Sequence, residues 1–328
     1  MINYRLTSIF ICFWIFCISI VFYSFYNETE SEKVFKKQVR KKAEKSFFKK
    51  IDYYKIESNR PYLSLNAISL DITNQQYMEF HAPKGLVYVG EEQTKFKASS
   101  GIFESNRNHL SLESDVSIVS DKYQYESNNL FVDGDNSILV GQGPVKARLK
   151  DDISGDTLVL NGGGLRSYVE LGKTDMFGGV DGKLHRKRKY EGGLDFKSEK
   201  ISFDNTKSEL ILDKDVKIHR NNYRLSAGRG EVLLENFNKK LKYYTLYDDV
   251  KLIELVKLNT GEKQTRRAYA EKLEAFQSKG EVVLTGAPRV EQGNDVIKGY
   301  QIILRENVEL VEIDDSQTSF SLKKKRKK

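Results

Sequence analysis

The chain has 328 residues but only two cysteines, Cys12 and Cys17, both inside one apolar stretch near the N-terminus. The rest of the chain therefore has no disulfide framework and no thiolate zinc site. Four histidines, His81, His109, His185 and His219, are scattered without metal-ligand spacing, so no metal centre or cofactor is expected. Proline is equally sparse, with four in all. Two of them, Pro144 and Pro288, mark equivalent turns or strand edges, where the missing N–H costs least. The apolar share of 39% is low, yet 18 Phe and 18 Tyr can fill a core, which excludes wholesale disorder.

Acid–base and nucleotide motifs are also missing. Leu171-Gly-Lys-Thr174 resembles the end of a phosphate loop, but Ser167 stands where its first glycine belongs, and no helix pattern follows. Gly162–Gly164 has no Gly-x-Ser-x-Gly nucleophile elbow to serve. Asp151-Asp152, Asp248-Asp249 and Asp314-Asp315 are adjacent pairs, which point to opposite faces of a strand and suit turns. The sequence offers no catalytic residues, and the chain is not expected to be an enzyme.

The formal charge of +8 invites a polyanion partner until it is located. Residues 1–50 carry +6 and the tail Lys323–Lys328 (KKKRKK) another +6, which leaves 51–322 at −4. A nucleic-acid-binding fold carries its positive charge on the folded surface, so no nucleic-acid partner is expected.

Leu6–Tyr26 is a run of 21 residues without a charge, close to the ~20 that cross a bilayer as a helix. Tyr4, Tyr23 and Tyr26 lie near its ends, at the level of aromatic belts. No small-residue cleavage site follows, so an uncleaved single-pass anchor is expected, with 1–5 on the cytoplasmic side. The basic cluster Lys33–Lys45 argues for the opposite orientation by the positive-inside rule, while acidic Glu28, Glu30 and Glu32 directly follow the span. Charge alone leaves the topology open. Residues 27–60 read as a basic spacer, either solvated or, over 33–50, a basic amphipathic helix on anionic headgroups.

From Tyr62 the pattern becomes short alternating runs broken by Gly, Asn and Asp, the signature of strands and turns. Leu110, Leu112, Val116 and Ile118 share one parity and line one face. The exception is a short helical pattern near Arg266–Gln277. Two gapless internal repeats stand out. At an offset of 100, Leu110, Leu112, Asp115, Val116 and Ile118 meet Leu210, Leu212, Asp215, Val216 and Ile218; at 144, Gly143-Pro144…Gly155 meets Ala287-Pro288…Gly299. A weaker echo is Asp249-Val250-Lys-Leu252. The fold class is all-β: a transmembrane helix, then related units at 61–172 and 194–313, joined by a Gly- and charge-rich linker at 173–193 and followed by a Lys-rich tail at 314–328.

The phrase L-x-L-x-x-D-V-x-I, a strand, then G-x-P-V…I-x-G…L resembles the lipopolysaccharide-transport (Lpt) periplasmic bridge family. The first unit, behind a single span, looks like its LptC component. The second, with Ile201-Ser-Phe203…Leu210-Ile-Leu212…Asp215-Val216…Leu284-Thr-Gly286-Ala-Pro288, looks like its LptA (OstA-like) component. The resemblance covers about 60–313. It implies open β-jellyrolls stacked edge to edge and an inner-membrane protein whose bulk is periplasmic. The implied partners are lipopolysaccharide, an inner-membrane ABC transporter (LptBFG-like), and an outer-membrane translocon (LptD-like) or further LptA-like units. A membrane-anchored structural β-scaffold that carries no lipid is the alternative.

A lipid with several acyl chains needs an apolar path across water, since each methylene kept dry is worth about 0.8 kcal/mol. The candidates to line one are Leu110, Leu112, Val116, Ile118 and Val132 in the first unit, and Leu210, Leu212, Val216, Ile218 and Leu284 in the second. The same residues suit a closed core, and the sequence does not separate the two. The expected docking edges are the first and last strands, near Tyr62–Ile72 and Val296–Ile313.

Overall fold

The alternating runs form strands because each buries every second side chain against a neighbour. A computed structural model describes residues 45–57, 60–73, 77–89, 91–153, 155–187, 193–220, 223–233, 243–257, 261–276, 280–305, 311–314 and 317–319, and these hold strands and turns only. Among them no helix is long and apolar enough to cross a membrane. The expected span at 6–26 and the Lys323–Lys328 tail lie outside the described residues. Apart from Lys45, Ser46, Ile72 and Thr73, the described residues belong to one compact unit, Phe47–Asp71 with Gln76–Lys328.

Strand β1 (Lys45–Glu57) pairs with β2 (Arg60–Thr73), which pairs in turn with β3 (Tyr77–His81) and β4 (Lys84–Val89). Strands β5 (Glu92–Lys97) and β6 (Ser100–Glu104) pair back on β4 and β3, and both lie against β7 (His109–Val119). Antiparallel hairpins then follow without a crossover: β8 (Tyr123–Asp133), β9 (Ile138–Lys150), β10 (Thr157–Tyr168), β11 (Lys173–His185) and β12 (Leu194–Asp204). The meander continues through β13 (Glu209–Arg220), β14 (Tyr223–Leu233), β15 (Tyr243–Lys257) and β16 (Lys263–Phe276). Strands β17 (Glu281–Thr285) and β18 (Arg289–Gln292) both pair with β16. Beyond them come β20 (Gln301–Arg305) and β21 (Val311–Asp314) on one side, and β19 (Asp295–Lys298) and β22 (Gln317–Ser319) on the other.

Each long strand bends at its middle. On every second strand the bend is made by residues at positive φ: Ser114-Asp115, Gly143, Gly178-Gly179, Lys214-Asp215 and Asp248-Asp249. Aspartate tolerates this region better than most residues, and glycine enters it freely. The next inward residue is a buried valine each time: Val116, Val145, Val180, Val216 and Val250. The recurring Asp-Val phrase is therefore a corner followed by the side chain that fills the crease. The repeat is finer than two domains, recurring with each hairpin from β7 to β15.

The corners fold the sheet into two facing walls, a jellyroll-like stack, with the core between them. One row of the first wall runs Leu112, Leu130, Gly141, Leu165, Met176, Ile201, Leu212 through directly paired strands. The matching row of the second wall runs Ile118, Tyr125, Ala147, Leu160, Gly182, Phe196, Ile218. Tyr125 Oη donates to Ser167 Oγ at 3.0 Å across the gap, so the walls are in contact.

Four expectations are corrected. The stretch 173–193 is no open linker: Lys173–His185 is strand β11, bonded along its length to β10 and β12. Its glycines serve the corner, where Gly163 packs against Gly178 and an added Cβ would sit 3.1 Å from the Gly178 carbonyl oxygen. The spacer 27–60 contains strand β1 over Lys45–Glu57. The pattern at Arg266–Gln277 is strand β16, with Arg266, Ala268, Ala270, Leu273 and Ala275 turned inward. Neighbours on both sides supply the hydrogen bonds that a helix would have made internally. The free N-terminal sheet edge lies one strand further out than expected, at β1, because β2 is paired on both sides, while at the other end β21, which covers β20, falls within the expected stretch but for its last residue.

Gly182 lies directly opposite Phe196 on the inner face, and a methyl there would stand inside the Phe196 ring. Gly182→Ala is expected to destabilise the fold by about 1–3 kcal/mol, the usual cost of overpacking. Phe196→Leu in the same chain should recover most of the loss, as read by urea unfolding of the full chain.

Candidate functional site

The inner rows make a continuous apolar lane between the walls. Between β7 and β16 alone it runs about 43 Å, at about 4.8 Å per strand. All ten residues expected to line a path lie in it, and each is 2% exposed or less. Leu112 and Leu212 share one row, which continues through Gly230, Leu246 and Leu273 to Leu284. Leu110, Val132 and Leu210 share the next row of the same wall. Ile118 and Ile218 face them from the other wall, and Val116 and Val216 sit at the corner. In this structure the walls meet and the lane is filled by its own side chains.

The ten expected residues are only part of the apolar interior. Leu130, Leu165, Met176 and Ile201 complete the first wall, and Phe96, Phe196, Leu225 and Leu252 the second. The signal that finds them is parity counted through each corner. On β7 the corner inserts two residues, so Leu112 and Val116 stay on one face, whereas on β8, β10 and β12 the inward parity reverses, as from Tyr125 to Leu130, Leu160 to Leu165 and Phe196 to Ile201.

Polar groups interrupt the lane at defined points. In the first unit Tyr125, stacked on Tyr123 with centroids 5.0 Å apart, reaches across to Ser167 and to Thr174 at 3.3 Å. Ser167 and Thr174 bond each other at 3.0 Å, and Thr94 bonds Tyr123 at 2.8 Å. In the second unit the hydroxyls of Tyr223 and Tyr244, one from each wall, meet at 2.9 Å. Beside them Arg266 Nε donates to Glu254 Oε2 at 3.1 Å, both side chains being fully buried. Arg266 Nη2 also donates at 3.2 Å to the Arg305 carbonyl of the opposite wall. The Tyr125, Tyr223–Tyr244 and Arg266–Arg305 bonds latch wall to wall. Burial pushes the Tyr123 and Tyr125 phenols above their ordinary range, because the phenolate loses its hydration there.

The two units share the lane without a seam. Strand β11, the last of the first unit, pairs with β12, the first of the second, from Lys173↔Asp204 to Leu184↔Leu194. At the outer ends the sheet stays open: among the described residues β1 pairs only with β2, and it exposes Phe47, Phe48, Tyr54 and Ile56. Such unpaired backbone is a template for another strand.

Two family profiles match the chain in tandem, and they meet at this β11–β12 junction. The one described as lipopolysaccharide-assembly, LptC-related matches residues 13–185. The one described as LptA/(LptD N-terminal domain) LPS transport protein matches 195–309. No curated protein sequence matches. Among solved structures, one match is LptH of Pseudomonas aeruginosa, described as the LptA homologous periplasmic component of a lipopolysaccharide transport device. It is 12% identical, covers 40% of this chain and 97% of its own, and has a TM-score of 0.36.

Arg266→Met strands the Glu254 carboxylate in the lane and is expected to cost about 3–5 kcal/mol in thermal or urea unfolding. Adding Glu254→Leu should return most of it. The tyrosines set an alkaline limit. Their folded pKa values lie above the unfolded value of about 10, so their contribution is complete below that pH and is lost as pH rises past it. Unfolding free energy should fall steadily above about pH 10, and Tyr125→Phe should flatten that slope.

Proposed function

The chain belongs to the lipopolysaccharide-assembly, LptC-related family, and from that premise we propose that it is a bridge carrying lipopolysaccharide from the inner membrane toward the outer membrane. The observation that carries this reading is the unbroken inner lane through the β11–β12 junction, where the LptC-related segment passes into the segment matched by LptA and the LptD N-terminal domain. A lipid crossing the periplasm this way keeps its acyl chains between apolar walls, each methylene sparing about 0.8 kcal/mol of exposure. Joining the units in one chain turns their docking into an intramolecular event.

In this reading the apolar 6–26 stretch anchors the chain in the inner membrane with its bulk in the periplasm. The LptC-related match begins at residue 13, inside that stretch, which supports the anchor. The lane carries no nucleotide site of its own that the sequence reveals, so the energy enters from a partner, the inner-membrane ABC transporter. That partner adds a strand to the open edge of β1. The C-terminal edge at β21 and β22 receives an outer-membrane translocon or a further LptA-like unit in the same way. For lipid to pass, the walls part and the tyrosine latches open, which exchanges buried hydroxyl–hydroxyl bonds worth about 1 kcal/mol each for lipid contacts.

A photo-crosslinking residue at Leu112 or Leu212 is expected to give lipopolysaccharide adducts in cells, and one at the outward Ser111 none. Equal labelling at Ser111 and Leu112 contradicts the lane, and absence of adducts at both inner sites favours a scaffold that carries no lipid.

A further inference from the structure

Among the described residues, a second concavity lies outside the lane. A groove of about 760 Å³ lies on the back of the second wall, across β10 to β15. Its side chains are the outward, exposed ones, such as Lys183, Lys217, Arg224 and Ile253, while the inward residues Phe196, Ile218 and Leu225 are 2–3% exposed and lie beneath its floor. The volume falls within the roughly 300–1,000 Å³ of small-molecule sites.

One juxtaposition of charge in this groove, Lys197 against Lys217, is unfavourable for the fold alone. Its cations, Lys183, Lys197, Lys217, Arg224 and Lys251, outnumber its carboxylates, Asp181 and Asp195. Lys197 stands directly opposite Lys217, and Lys251 lies one strand beyond, across Ser226. Like charges directly opposite on a sheet destabilise it. On the other side of β12 the pairing is complementary: Lys197 stands opposite Asp181 and bonds it at 2.5 Å, and Lys183 stands opposite Asp195 at 3.9 Å, all four side chains being more than half exposed. Lys217 and Lys251 lean on Asp215 and Asp249 at the corner, but those carboxylates are 76% and 82% exposed. Pairs so exposed are worth little and exchange readily for a better anion. Beside this cationic row, exposed Ile253, two residues along β15 from Lys251, and the lysine stems offer apolar surface, as long cationic side chains do when their heads stay in water.

We propose that this outer groove binds an anionic amphiphile, with its phosphate on Lys197, Lys217 and Lys251 and an acyl chain along Ile253 and the Lys251 stem. The site is separate from the lane, since the sheet itself lies between them, and it holds whether or not the lane conducts.

The test titrates the full chain, held in a zwitterionic nanodisc, with dihexanoyl phosphatidic acid by calorimetry. Saturable binding is expected, weakened at least tenfold by Lys217→Glu with Lys251→Glu and retained by Lys217→Arg with Lys251→Arg. Lys217→Glu alone should leave the Tm unchanged or raise it, because it turns the Lys197–Lys217 clash into an attractive pair. Equal binding of dihexanoyl phosphatidylcholine overturns the charge assignment, and equal binding of inorganic phosphate overturns the amphiphile. Unchanged affinity in the double glutamate variant, or a Tm drop of several degrees in Lys217→Glu, overturns the site. The Ser111 and Leu112 crosslinks are unaffected by any of these outcomes, so failure here is distinct from failure of the lane.

Discussion

Everything in this molecule depends on strand register held across corners. Side chains alternate faces with a period of two, so a slip by one residue would turn a whole row from the interior to solvent. The corners at Ser114-Asp115, Lys214-Asp215 and Asp248-Asp249 each insert a pair of left-handed residues, which bends the strand yet preserves parity. Leu112 and Val116, or Leu212 and Val216, therefore remain on one face. Repeated on every second strand, with the inward parity reversing at the corner of the strands between, this device converts a flat meander into two walls with a single apolar interior.

That interior explains what was legible in the sequence. Residues flanking an Asp-Val corner, such as Leu110, Leu112, Ile118 and their partners near position 210, announce themselves by alternation because one neighbour face is buried and the other wet. Strands whose inner positions carry glycine or alanine do not. Gly182 sits under Phe196 and Gly141 beside Leu130, so β9 and β11 lose half of their apolar signal and the glycines read as a linker. Strand β16 misleads for a related reason. Arg266, Ala268 and Ala270 occupy inner positions, and alanine favours helix in isolation, a preference that pairing on both sides overrides. Strand β1 was masked by its lysines, which suit an exposed edge.

The same residues suit a path and a core. The ten candidate residues are packed as a core in this structure, and a core is what they would be in any closed state. What distinguishes a conduit is that the packing is interrupted by bonds that can be exchanged. Tyr125 with Ser167 and Thr174, and Tyr223 with Tyr244, tie one wall to the other in the two units. Replacing such latches with leucine would stabilise a static sandwich at least as well. Their presence is consistent with walls that part and close again. The outer groove adds a second surface, built on charge where the lane is built on its absence.

The central claim is that lipopolysaccharide leaves the inner membrane through this chain. The most direct test depletes the chain from cells, pulse-labels new lipopolysaccharide, and follows it by membrane fractionation. The account predicts that the label accumulates in the inner membrane as the chain disappears and moves outward again when it is restored. Arrival of labelled lipopolysaccharide at the outer membrane at the normal rate, with the chain gone, would contradict it.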